Sequence, residues 1–300
     1  MKKLLVILGP TGVGKTNLSI DIAQHFKCPI ISSDSRQIYK GMTIGTDAPS
    51  QKQLEKTYHY FIGTLSVDEY FSASQFEDEA IKLLSQLHVM HDCVIMSGGS
   101  MLYIDAVCKG IDEVPDIDPV LRDQLMDLYE KEGIDPIRRQ LKMRDPAFYN
   151  QVDLKNPKRV IHALEVCIMT GKPYSSFRTD SIKERPFEIV RIGLMRLREQ
   201  LYARINARVD QMIERGLVEE ARNFYPYKHL NSLNTVGYKE LFMHFCGDCT
   251  LEYAIDKIKQ HSRNYARKQL SWFNRSDDIH WIDLSDETLD AKEEILSRIS

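Results

Sequence analysis

No apolar run in the sequence approaches the ~20 residues that a membrane span needs, so an integral membrane protein is not expected. The longest early run, Leu4 to Leu8, leads into a glycine-rich stretch rather than a cleavage site, so an export signal is not expected either. Cysteine is sparse: six residues in a chain of 300 are too few for a disulfide scaffold. Reduced thiols in a cytoplasmic protein are the expectation. There is no internal repeat and no low-complexity tract. Net charge is small, −3, which argues against a uniformly basic or acidic chain. What is present, 43% hydrophobic and 28% charged residues, reads as a soluble globular protein of one large domain or two small ones.

The small net charge hides a pattern. Residues 1–150 carry −5, residues 151–275 carry +8, and residues 276–300 carry −6. A basic stretch within an acidic protein suits a polyanionic partner, although solvated helices with uneven charge give the same count.

Strand and helix patterns alternate at the start. Lys3–Leu8 reads as a buried strand, 15–26 as a helix, 29–33 as a strand, 74–88 as a helix and 93–96 as a strand. This alternation predicts an α/β fold with a parallel sheet. Near Pro115 the acidic, proline-containing run VPDIDP marks a boundary. Only helical patterns follow until about Thr170, and a strand returns at 187–195 before helices from Arg198 to Phe273. The expected organisation is an α/β core over 1–115 and 187–300, which the G-x-x-x-x-G-K-T match at Gly9–Thr16 makes P-loop NTPase-like, with C-terminal helices and a helical insertion over 116–186.

The strongest motif is Gly9-Pro10-Thr11-Gly12-Val13-Gly14-Lys15-Thr16, which matches G-x-x-x-x-G-K-[ST] between a strand and a helix. Glycines let backbone N–H groups converge on phosphate oxygens, and the helix N-terminus adds its positive end. Lys15 supplies a cation, and Thr16 a hydroxyl ligand for Mg²⁺. The motif marks a nucleotide-type, ATP-like site but does not choose between diphosphate and triphosphate. The strand CVIM ends in Ser97-Gly98-Gly99-Ser100 without the acid of a hydrolytic ATPase. The acid is Asp34, after the second strand, which suits a general base, a helix cap or a second-shell Mg²⁺ ligand.

Arg204 and Arg208 lie one turn apart on a helix and suit a diphosphate clamp or a solvated face. Lys158 and Arg159 open the helix that carries His162. Arg263, Arg267 and Lys268 precede Trp272 and Phe273, a mixture that suits RNA or a core with a basic rim. Cys246 and Cys249 form one CxxC with no second pair nearby and read as two thiols in a turn.

GPTGVGKT, SSDSRQIYKGMTIGTDAPS, SGGSMLYIDAV, NPKRVIHALEV, NTVGYKEL and YARKQLSWFNR occur in this order between residues 3 and 275. Together they resemble the bacterial tRNA dimethylallyltransferase (tRNA isopentenyltransferase) family. The resemblance implies transfer of a dimethylallyl group from its diphosphate to N6 of the adenosine 3′ of the anticodon. It implies that Gly9–Thr16 holds the donor diphosphate, with Thr16 on Mg²⁺ and Arg208 beside Lys15 on the leaving group. Asp34 becomes the base at the adenine amine. Ser35, Arg36, Gln37 and Ser100 fall on tRNA-contact positions, as do Arg122 and Lys158, Arg159, Val160, Ile161 and His162. Ser100 stands where the family usually has Thr, and His162 where it often has Arg. The insertion would grip the anticodon stem-loop. The implied enzyme is a cytoplasmic monomer, and residues 276–300 carry no family motif. The rival readings are a P-loop small-molecule kinase and a non-catalytic, nucleotide-gated RNA-binding module.

Overall fold

The computed structural model describes residues 1–112, 114, 118–179, 181–286 and 288–299. The expected boundary at Pro115 and Asp116 lies outside the described residues. The chain divides into two compact units, Met1–Cys108 with Glu184–Ser300, and Lys109–Lys183.

The first unit opens with β1 (Lys3–Leu8), α1 (Lys15–Phe26) and β2 (Ile30–Ser33). It continues through α2 (Gln51–Lys56), β3 (His59–Tyr60), α3 (Ala73–Met90), β4 (Cys93–Gly98) and α4 (Met101–Lys109). The second unit holds α5 (Pro119–Glu132), α6 (Asp135–Arg144), α7 (Pro146–Tyr149) and α8 (Pro157–Thr170). The chain then returns through β5 (Glu188–Met195), α9 (Arg198–Glu214), α10 (Leu217–Phe224), α11 (Tyr238–Phe245), α12 (Leu251–Phe273), β6 (Ile279–Asp283) and α13 (Ala291–Ile299).

Among the described residues the strands form one sheet in the order β3-β2-β4-β1-β5-β6. Every pairing is parallel. The continuous apolar run of β1 follows from covering both sheet faces with helices. Leu5 and Ile7 pack into one core cluster, and Leu4, Val6 and Leu8 into another. Successive side chains on a strand point to opposite faces, so one run builds both cores. The second unit has its own core of Leu125, Ile137, Leu141, Phe148, Val160, Ile161 and Leu164.

α1 matches its sequence span, while β4 runs two residues further, to Gly98. The sequence pattern missed β3, α4 and β6. β3 has only two residues. α4 follows the glycine pair of SGGS, which reads as a breaker. β6 lies in the acidic tail, where Ile279 and Ile282 are buried between polar neighbours. The tail therefore completes the sheet edge beside β5.

Candidate functional site

The P-loop leaves the carboxyl end of β1, the edge at which open parallel sheets bind ligands. Gly9, Gly12 and Gly14 adopt φ of 147°, 80° and 118°. At Gly12 a side chain is also sterically blocked: a Cβ there would lie 2.9 Å from Ile205 Cγ1. α1 has no side-chain cap, which leaves its first N–H groups to an anion. Lys15 Nζ donates to the carbonyls of Gly9 at 3.0 Å and Pro10 at 2.9 Å. Burial lowers its pKa to about 8; Arg208 adds to this, and Asp34 and Asp47 partly oppose it. The Val13 side chain is fully buried in the core.

Three side chains on two later elements hold this loop. Gln269 on α12, 1% exposed, accepts from Thr11 N and donates to Gly99 O, both at 2.9 Å. Arg204 on α9 donates from Nε to Gly12 O at 2.9 Å. Arg208 donates to Thr11 Oγ1 at 2.7 Å and to Asp47 Oδ2 at 3.3 Å. Its Nε–H, shielded from solvent, has no partner among the described residues. An unpaired buried donor beside a phosphate-type loop fits an anionic ligand.

A cavity of about 600 Å³ opens between these groups. Thr11, Gly12, Gly14, Lys15 and Thr16 line it, with Asp34, Asp47, Arg204, Arg208 and Arg215. Asp34 follows β2. Its Oδ1 accepts from Arg36 N at 2.8 Å and Gln37 N at 3.2 Å, which closes its own turn. Oδ2 accepts no hydrogen bond among the described residues. A second cavity of about 380 Å³ is lined by Ser35, Arg36, Tyr39, Tyr70, Tyr103 and Ser100. Tyr265 borders both cavities.

The remaining sequence candidates are placed as follows. Ser100 is 8% exposed; its Oγ accepts from Ser35 N at 2.8 Å and donates to Ser35 Oγ at 3.1 Å. Gln37 donates to the carbonyls of Thr46 at 3.1 Å and Asp47 at 3.3 Å. Both side chains thus shape the turn around Asp34 and the loop beside it. Trp272 donates to Asp105 at 2.7 Å, and Phe273 is fully buried, so both belong to the core region. Cys246 is exposed at the end of α11, with Sγ 3.0 Å from the Tyr225 hydroxyl and 3.5 Å from Lys228 Nζ.

In the second unit, Lys158 and Arg159 are exposed in the first turn of α8, capped by Asn156. Val160 and Ile161 are buried, and their side chains face that unit's core instead of solvent. Arg122 forms a two-pronged bond to Glu165, with both distances 2.9 Å. His162 Nδ1 lies 3.5 Å from the same carboxylate. Burial pushes the Glu165 pKa up, but bonds from Arg122 and His162 outweigh it and hold it at about 2. Sequence reasoning missed Glu165, Gln269, Asp47 and Arg215. Asp47 lay inside a quoted motif, and Glu165 one turn past Ile161, but nothing local gave either a role.

Comparison with known proteins places the chain among its relatives. The IPP transferase family matches residues 37–276. A protein named tRNA dimethylallyltransferase 2 from Azobacteroides pseudotrichonymphae is 59% identical over 281 residues, 94% of this chain and 92% of its own. A solved tRNA delta(2)-isopentenylpyrophosphate transferase from Staphylococcus epidermidis is 33% identical. It has a TM-score of 0.72, covering 100% of this chain and 99% of its own. A solved eukaryotic dimethylallyltransferase acting on tRNA is 26% identical, with a TM-score of 0.83 over 99% of this chain and 78% of its own.

Proposed function

The chain belongs to the IPP transferase family, and from that premise we propose that its P-loop cavity holds dimethylallyl diphosphate while Asp34 activates an adenine amine of tRNA. The activity is dimethylallyl transfer to tRNA. The acceptor on this reading is N6 of the adenosine 3′ of the anticodon. The observation that carries the assignment is a carboxylate oxygen, Asp34 Oδ2, that accepts no hydrogen bond among the described residues and lies on Asp34 in the lining of the cavity that also contains Lys15 and Arg208.

An aromatic amine is a poor nucleophile because its lone pair is delocalised. Asp34 takes the N6 proton as the new C–N bond forms, which offsets that weakness. The allylic C–O bond breaks, and its electron pair leaves with the diphosphate. Lys15, Arg208 and the free N–H groups at the start of α1 hold that anion. The Arg208 Nε–H, which has no partner among the described residues, supports this placement.

The oxygen donors lining the cavity, Thr16 among them, suit Mg²⁺, which prefers hard oxygen ligands. Thr16 would hold the ion, and Mg²⁺ supplies charge neutralisation of the diphosphate. The adenine leaves its stack to reach Asp34. The aromatic lining of the second cavity, with Ser35 and Arg36, supports its use by tRNA bases.

In the second unit, Lys158 and Arg159 add positive charge to a helix N-terminus, a favourable place for RNA phosphate. Arg122, oriented by Glu165, and His162 extend that surface. We assign Val160 and Ile161 to the support of this turn, since their side chains are buried. The enzyme acts as a cytoplasmic monomer on this reading.

The test is turnover of tRNA with dimethylallyl diphosphate and Mg²⁺, with and without ATP. Prenylated adenosine and free diphosphate are expected, with no need for ATP. Phosphate release from ATP stimulated by tRNA, without a prenylated nucleoside, would contradict the assignment.

A further inference from the structure

A carboxylate in a diphosphate cavity is a liability, because it repels the anion that the cavity binds. Asp47 is such a carboxylate, and its setting is built. Its φ is 51°, in the left-handed region that Asp and Asn tolerate best among side-chain-bearing residues. Glu220 on α10 holds the preceding loop by accepting from Thr43 N at 3.1 Å, Ile44 N at 2.8 Å and Gly45 N at 2.8 Å. Tyr238 fixes Glu220 in turn through a 2.6 Å bond. Gln37 donates to the carbonyls of Thr46 and Asp47. The loop is thus secured through its amides and its carbonyls.

What the loop presents is loosely engaged. Asp47 Oδ2 lies 3.3 Å from Arg208 NH1, and Oδ1 lies 3.5 Å from Arg215 NH1. Tight charge-assisted bonds run at about 2.7–2.9 Å and are often two-pronged. These contacts are single and long. The Asp47 and Arg215 side chains remain 36% and 48% exposed, so the pairing is weak in water. A diphosphate carries more charge than one carboxylate and offers geometry that guanidinium groups match. It is therefore able to displace Asp47 from both arginines.

We propose that Asp47 is the exchangeable counterion of Arg208 and Arg215. It pairs with both guanidinium groups while no diphosphate is bound and yields them when the donor arrives. After transfer it competes for them with the diphosphate product and speeds its release. This role rests on the reading that the cavity takes the donor's diphosphate. Asp47 touches no reacting atom. It acts through the two arginines and is a positioning residue.

The test uses the full chain and inorganic diphosphate, with calorimetry for affinity and stopped flow for release. Asp47→Asn is the variant of choice, since Asn keeps the left-handed backbone and the shape while losing the charge. It should bind diphosphate about tenfold tighter than wild type, through slower dissociation. A damaged fold would weaken binding, so the sign separates the two causes. In an Arg215→Ala background the gain from Asp47→Asn should fall by at least half, because one of its partners is gone. Equal or weaker binding by Asp47→Asn overturns the counterion role, and so does a gain that survives undiminished without Arg215. Absence of diphosphate binding by the wild-type protein overturns instead the donor-site reading beneath it.

Discussion

Replacing Gln269 by leucine keeps the bulk on α12 but removes the tie between the P-loop and the end of β4. Two backbone groups lose their partners, Thr11 N–H and Gly99 O, each now bonded at 2.9 Å in a site where Gln269 is 1% exposed. An unsatisfied buried polar group costs about 1–3 kcal/mol, so the pair costs about 2–6 kcal/mol. Leucine recovers roughly 1–2 kcal/mol by burying apolar surface in place of an amide. The net loss is about 3 kcal/mol, which for a unit of this size lowers Tm by roughly 6–12 °C. The loop also loses its preset shape, so diphosphate must order it, and affinity should fall about tenfold. Thermal unfolding followed by circular dichroism reads the first effect, and calorimetry with inorganic diphosphate the second. Gln269→Glu is the control. It keeps an acceptor for Thr11 N–H but turns a second acceptor toward Gly99 O, so it should also lose stability. A Gln269→Leu protein that melts within about 1 °C of wild type and binds diphosphate equally well would refute the clamp.

Two further outcomes are expected. Burial sets the Lys15 pKa near 8, below the ordinary 10.5, so between these values the unfolded chain binds more protons and stability gained from Lys15 rises with pH. Diphosphate favours the charged form, so its binding should take up a proton above about pH 8 and weaken as pH rises. Calorimetry in buffers of different ionisation enthalpy checks this, and no proton uptake would contradict it. Replacing Lys158 and Arg159 together by Ala should weaken tRNA binding and reduce the slope of log affinity against log salt by about 1–2. An unchanged slope would remove both from the phosphate contacts.

The parts of the site that were legible in the sequence are the local ones. A strand with the apolar run Leu4 to Leu8, a glycine loop and the helix after it are contiguous, and their spacing reads as a phosphate cradle. Asp34 was legible because it ends a buried strand, and all strand ends of a parallel sheet meet at one edge. Gln269 was not, because its partner Thr11 is 258 residues away and a lone glutamine in a helix carries no signal. Asp47 looked like any loop acid until the fold brought α9 beside it. Val160 and Ile161 show the converse limit: they share a motif with Lys158 and Arg159, but helical periodicity turns them inward. β6 was lost because two buried isoleucines among acidic neighbours read as a solvated tail.

The central claim is that Asp34 removes the proton of the attacking amine. Asp34→Asn tests it most directly, because the amide oxygen can still accept from Arg36 N and Gln37 N and keep the turn. The measurement is single-turnover prenyl transfer to tRNA with saturating dimethylallyl diphosphate, alongside the affinities for tRNA and inorganic diphosphate. The account predicts a rate lower by ~10²–10⁴-fold with both affinities near wild type. A rate near wild type, or a loss explained wholly by weaker binding, would contradict it.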